Sequence, residues 1–183
     1  MCIRDSIGGV ICFGNDDTNI VPLTPVYCCA QSVPECYAQG TADCFHFSTR
    51  SAYWVQNWVS NMVYPRYSVL FPELKTERDQ LEQDYNSLQQ QVEDEAANMP
   101  DDQAIKHLSA YSHRAAQSML DVWNQLAQRL IVKYNDMAIK RTNEQGQYEK
   151  TPGGNQRPVL RPGYPEAYRK RIVEETGNRF LSK

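Results

Sequence analysis

QQVEDEAANMPDDQAIKHL, residues 90–108, holds a short break between two long stretches of helical spacing. Upstream of it, Leu74, Leu81, Tyr85, Leu88, Val92 and Met99 recur in steps of three, four or seven, and the intervening positions are heavily charged. Pro72 suits the first turn of that helix, because the missing N–H of a first-turn proline would have had no partner anyway. Downstream, Asp101 or Asp102 can cap a second helix that carries Ile105, Leu108, Ala115, Met119, Trp123, Leu126, Leu130 and Tyr134 on one stripe. A break as short as ANMPDDQ (97–103) predicts an antiparallel αα-hairpin over roughly 72–139. Trp123 on this stripe reads as core, not as part of a cofactor box.

Working outward to the N-terminal side, FSTRSAYWVQNWVSNMVYPRY (47–67) predicts another helix, with Ser48 or Thr49 as its cap and Pro65 at its end or at a kink. Ala52, Val55, Trp58, Val59, Met62 and Val63 keep helical spacing, and Tyr53 and Trp54 widen the apolar arc, so this helix is expected to be buried on most sides. Before it, IGGVICFGNDDTNIVPLTPVYCCAQSVPECYAQG (7–40) alternates β-favouring runs with turns and predicts short strands at Val10–Phe13 and Val26–Ala30. So few strands cannot cover two faces of a sheet, and their pairing partners are expected elsewhere. After the hairpin, the final 43 residues contain five Gly and four Pro, which predicts an ordered surface extension with one short helix in PEAYRKRIVEETG (165–177), started by Pro165 and stopped by Gly177.

An apolar fraction of 41% with 22% charged residues describes a globular chain. No apolar run approaches the ~20 residues a membrane-spanning helix needs. Charge is uneven: residues 7–45 hold four carboxylates and no Lys or Arg, whereas residues 141–183 hold nine Lys or Arg against five Asp or Glu. Those basic residues are scattered among Gly and Pro without a nucleic-acid-binding motif, so no nucleic acid partner is expected. All six cysteines lie in the first 44 residues. Their spacing lacks the CxxC pairs of structural zinc sites, and they read as buried free thiols, with a Cys36–Cys44 disulfide as the alternative.

The candidate substrate-binding residues are Asn15, Asp16 and Asp17, at the end of the first strand, where carboxylates can hold a substrate ammonium group; a simple turn is the plainer reading of GNDDT. Glu93, Asp94 and Glu95 read as a solvated helix face. His107 and His113 are six apart, the wrong spacing for a same-face ligand pair, and read as surface residues. No metal and no cofactor is expected.

Met1–Ser6, MCIRDS, matches the translation of a transposase end used as a sequencing adapter and is expected to be a scar outside the fold. Cys2 would otherwise be tempting, since an N-terminal cysteine can use its own α-amino group as base. The phrases QSVPECYAQGTADCFHFSTRSAYWVQNWVSNMVYPRY (31–67), LIVKYNDMAIK (130–140) and RPVLRPGYPEAY (157–168) resemble the C-terminal third of bacterial N-terminal-nucleophile cysteine dipeptidases of the dipeptidase A type. The resemblance runs from about Ile7 to Phe180. It implies an α+β fold: the late strands of an αββα sandwich with a long antiparallel helical hairpin. It further implies hydrolysis of dipeptides by a cysteine upstream of this chain, so no catalytic residue is carried over and Cys2 is in the wrong place to be the nucleophile.

The organisation expected is a scar at 1–6, late strands at 7–45, a helical layer with the αα-hairpin at 46–140 and a Pro/Gly-rich basic extension at 141–183. The partners implied are the missing N-terminal part of the same enzyme and dipeptide substrates, with no membrane span; a homo-oligomer is compatible with both. The alternative is a non-catalytic helical-hairpin interaction protein, which the hairpin alone would permit.

Overall fold

The computed structural model describes residues 7–155, 157 and 159–176, so the adapter-like Met1–Ser6 and the helix stop at Gly177 lie outside the described residues. The chain divides into two compact units, 1–129 and 130–183. The division falls within a helix, not at the composition shifts near residues 45 and 140.

In the first unit two strands, β1 (Val10–Phe13) and β2 (Thr24–Tyr27), pair antiparallel with Val10 opposite Tyr27 and Phe13 opposite Thr24. The second strand therefore starts and ends earlier than Val26–Ala30. Pro25 sits inside it, opposite Cys12. Cys28 N donates to Gly9 O at 2.8 Å, which makes Val10–Tyr27 and Cys12–Pro25 the wide pairs, whose backbone groups point away from the partner strand. On β2 that outward edge is closed: Pro25 has no N–H to offer, and Tyr27 N donates to Ser112 Oγ at 3.0 Å.

Helix α1 spans Ala52–Val63, and its cap position is Ser51, whose backbone is extended. Neither Ser48 nor Thr49 caps it. Ser48 Oγ instead accepts from Arg50 N, and Thr49 O accepts from Asn124 Nδ2 at 2.9 Å. After a 3-10 turn at Tyr64–Arg66, α2 runs over Tyr67–Ala96, so Pro72 lies in its second turn and not its first. The proline leaves the Ser68 carbonyl without its helical donor. Burial explains why the helix nevertheless extends back past it: Leu70 and Leu74, four apart, are both buried, and Phe71 stacks on Tyr67 at 4.4 Å.

Helix α3, Asp101–Tyr134, returns antiparallel to α2. Glu95 meets His107 at 2.9 Å near the connection, and at the far end Arg129 reaches Glu73 at 3.1 Å and Glu77 at 2.7 Å. Between them, Tyr85 Oη donates to Ala115 O at 3.0 Å and Tyr111 Oη donates to Tyr85 O at 2.9 Å. These phenols are buried with satisfied hydroxyls, and burial pushes that of Tyr111 up to about 12.

Leu74, Leu81, Tyr85 and Val92 are buried on α2, whereas Leu88 is exposed and Met99 half-buried. Position 88 falls off the face that meets α3. Glu93 departs from the solvated-face expectation because it accepts a 2.7 Å hydrogen bond from the Tyr27 hydroxyl. His107 and His113 are half-buried: His113 Nε2 lies 3.0 Å from Ser32 Oγ, tying the loop after β2 to α3.

The second unit contains the end of α3, a 3-10 turn over Asn135–Met137, single antiparallel bridges at Ile139–Leu160 and Thr142–Tyr148, and α4 (Glu166–Thr176). Pro165 starts α4 as its N–H-free first turn requires, its carbonyl accepting from Tyr168 N at 3.0 Å. The bridges, which the sequence does not announce, order the Gly- and Pro-rich stretch.

Trp123 is fully buried, and its indole N–H has no acceptor among the described residues. Truncating so large a core side chain typically costs about 3–5 kcal/mol. Trp123→Ala is therefore expected to lose that much in urea denaturation of the full chain. Trp123→Phe, which removes the stranded N–H while keeping most of the bulk, is expected to lose far less. Equal losses for the two variants would show that the ring does not fill this core.

Candidate functional site

Asn15, Asp16 and Asp17 form the turn that leaves β1, and their environment is built from three directions. Gly14 packs so closely that a Cβ there would meet Val21 Cγ2 at 2.9 Å. Asn15 N donates to Gln56 Oε1 at 2.8 Å, and Gln56 is fully buried on α1. Asp17 is largely committed to the turn itself: its Oδ1 accepts from Asn19 N at 2.8 Å, and its carbonyl accepts from Ile20 N and Val21 N. Asp16 is different. It is exposed, its φ of 88° is in the left-handed region that non-glycine residues rarely occupy, and its Oδ1 lies 3.4 Å from Asn57 Nδ2.

Around this turn open three concavities. One of about 530 Å³ runs along the sheet, lined by Ile11, Phe13, Val26, Val33, Pro34 and Tyr37. A second, of about 280 Å³, is lined by Asn15, Cys36, Asp43, Cys44, Tyr53 and Trp54. The third, about 410 Å³, is framed by Phe47, Trp54, Asn57, Trp58 and Asn61. Phe47 meets Trp54 and Trp58 edge-on, with ring centroids 5.9 and 5.4 Å apart.

This corrects the expectation for α1. Val55, Val59 and Val63 face the core, but Tyr53 is exposed and Trp54 and Trp58 are only half-buried. The wide apolar arc that suggested burial on most sides is in fact two faces, one packed inward and one open.

Sequence reasoning also missed the Asp43–His46 pair. His46 Nδ1 lies 2.8 Å from Asp43 Oδ2, and Asp43 Oδ1 accepts from Phe45 N and His46 N. The His46 contact, with these backbone bonds, holds the Asp43 carboxyl below its ordinary range. Trp54 Nε1 donates to Asp43 O at 2.8 Å, fixing the indole against this turn. An Asp three residues before a His was the available signal, but without the turn geometry it carries little weight.

The cysteines do not form the expected set of buried thiols. Cys12, Cys28 and Cys44 are exposed, Cys29 is half-buried, and only Cys36 is buried; all five are free. Cys12 is on the outward edge strand, which nothing among the described residues covers. Cys36 Sγ donates to Ala116 O, and burial pushes its thiol up to about 11. That direction opposes nucleophilic use, which needs the thiolate. Cys2 lies outside the described residues.

Among the described residues no group of three or more His, Cys, Asp or Glu could hold a metal ion, and no helix is long and apolar enough to cross a membrane. Chemically, the site offers carboxylate and amide groups beside aromatic walls, a set that binds and orients a ligand.

Residues 2–80 match peptidase family C69. The match covers both strands, the Asn15–Asp17 turn, α1 and the first turns of α2. No curated protein and no solved structure matches the chain.

The Cys36 environment sets a pH dependence. Because burial raises its folded-state value, the thiol's contribution to stability is fully present below the ordinary thiol range and is lost as pH rises through about 11. In a Cys2→Ser variant at pH 8, a thiol reagent such as DTNB is expected to modify Cys12, Cys28 and Cys44 rapidly, and Cys36 only on unfolding. Rapid modification of Cys36 in the native chain would contradict its placement.

Proposed function

We propose that this chain is the C-terminal part of a cysteine dipeptidase of the dipeptidase A type, with the nucleophile supplied by an N-terminal cysteine upstream of Ile7. The family match over residues 2–80 carries the reading. It includes the Trp- and Tyr-rich phrase 31–67, one of the three that carry the dipeptidase resemblance; the other two, 130–140 and 157–168, lie beyond it. In the reaction, the thiolate adds to the scissile carbonyl, the leaving amine takes up a proton, and water then releases the acid from the thioester and restores the thiol.

Two features support a supplied nucleophile. The buried thiol at Cys36 is shifted away from reactivity. The outward edge of β1 is also open, and Ile11 is 58% and Phe13 42% exposed beside the 530 Å³ cleft. In this reading β1 and β2 are late strands of an αββα sandwich, further strands add along β1, and the hairpin of α2 and α3 forms the helical layer behind.

The purified chain is expected to hydrolyse no dipeptide above the uncatalysed rate. Joined to the upstream reading frame with a Cys-initiated mature start, it is expected to become active, and changing that upstream cysteine to Ala is expected to abolish the activity. Hydrolysis by the chain alone that disappears in Cys2→Ala would overturn the proposal.

A further inference from the structure

The aromatic cavity on α1 and the strained carboxylate beside it form a combination that the hydrolytic chemistry alone does not require. Phe47, Trp54 and Trp58 line an open concavity of about 410 Å³ on the surface of α1. Trp54 is anchored through its indole N–H to Asp43 O, so at least one wall is held in place before any ligand arrives. Asn57 lines the cavity and also reaches Asp16, placing the Asp16 carboxylate at its rim.

The turn that presents Asp16 is fastened on both sides, by the Gly14 packing and by the Asn15 N to Gln56 bond. Its left-handed φ of 88° is a cost borne by an exposed residue whose carboxylate also accepts from Asn57 Nδ2. Residues 7–45 hold four carboxylates and no Lys or Arg, and the cations that reach this segment are committed elsewhere: Arg78 to Asn19 O and Asp79, and Arg50 to Glu35. A group that suits this rim is a cation, and a group that suits the cavity is apolar and bulky.

We infer that this cavity is a specificity subsite for the N-terminal residue of a peptide, taking a large apolar side chain against the face formed by Phe47, Trp54 and Trp58 while Asp16 neutralises the free α-ammonium. The two features meet on adjacent atoms of one residue: an α-ammonium and a Cβ share a single α-carbon, so a ligand entering the cavity by its side chain carries its charge to the rim. Asp17, spent on the turn, supports Asp16 without touching the ligand. The inference rests on the peptidase reading for the choice of a peptide as ligand, and it names which peptides are preferred.

Binding tests it without hydrolysis. The chain, as a Cys2→Ser variant, is titrated with Phe-Gly, Gly-Gly and N-acetyl-Phe-Gly, following the Trp54 and Trp58 indole N–H signals by NMR. Phe-Gly is expected to bind at least about tenfold more tightly than either of the others, a difference of ~1.4 kcal/mol. Trp58→Ala is expected to erase the advantage over Gly-Gly, and Asp16→Asn the advantage over the acetylated peptide, each with an unchanged circular dichroism spectrum. If Trp58→Ala disturbs the fold, Trp58→Leu, which keeps an apolar side chain there, serves in its place.

Equal binding of the three peptides, absence of Phe-Gly binding by the folded chain, or shifts confined to other parts of the molecule would overturn the subsite. Failure of the dipeptidase reading shows separately, as an upstream-joined enzyme that hydrolyses no dipeptide whatever its binding preference. If that enzyme hydrolyses Phe-Gly and Gly-Gly alike and the two substitutions leave the ratio unchanged, the catalytic reading stands and the subsite does not.

Discussion

Ser112 Oγ accepts the backbone N–H of Tyr27 in a buried site, and most of what the first unit does follows from that bond. A strand edge ordinarily offers its N–H groups to another strand. Here the outward donor of β2 is consumed by a helix side chain, and the neighbouring outward position is Pro25, which has none. Two further bonds repeat the arrangement: Gln31 N donates to Ser109 Oγ and Leu23 N to Glu82 Oε1. The sheet segment is thus fastened to both helices of the hairpin along one side, and growth of the sheet is left to the β1 side. A serine that already bonds its own helix, as Ser112 does to Leu108 O, costs the helix little while serving as acceptor for the strand.

The same fastening positions the candidate site. β1 runs straight into the Gly14–Asp17 turn, and Gln56 on α1 takes the turn's backbone N–H. Gln56 is fully buried and its amide also reaches Met119 on α3. One side chain therefore links the turn, α1 and the hairpin core, so the geometry of Asp16 relative to the aromatic cavity is set by buried contacts and not by a mobile loop. Local strain at Asp16 can persist because its surroundings are fixed in this way.

The hairpin was legible in the sequence because the apolar spacing of α3 is maintained over its length and because a seven-residue break between two such patterns leaves little choice of geometry. The start of α2 was not legible. Pro65 and Pro72 both argued for a boundary, and only the tertiary burial of Leu70 outweighs the second of them. Tyr53, Trp54 and Trp58 were misread for a related reason: hydrophobicity reports what a side chain can bury, not whether a partner is present to bury it. Tyr111, fully buried, was missed on a helix whose stripe was otherwise read well, because its hydroxyl finds the Tyr85 carbonyl only across the hairpin. At the site, the chain showed that Asn15–Asp17 form a turn, but not that Asp17 serves the backbone while Asp16 is exposed beside Asn57. Peptide hydrolysis came from the wording of residues 31–67, 130–140 and 157–168 and not from any constellation of reactive groups.

Amide hydrogen exchange resolved to single residues tests the central claim most directly, that the sheet is closed on the β2 side and open along β1. In the chain alone, the amide of Tyr27 is expected to be strongly protected, while those of Val10 and Cys12, which point outward from β1, exchange at nearly unprotected rates. On the proposed reading, a strand added along β1 should bring Val10 and Cys12 to protection matching that of Tyr27. Protection of Val10 and Cys12 already present in the isolated monomer, or a Tyr27 amide that exchanges freely, would contradict the account.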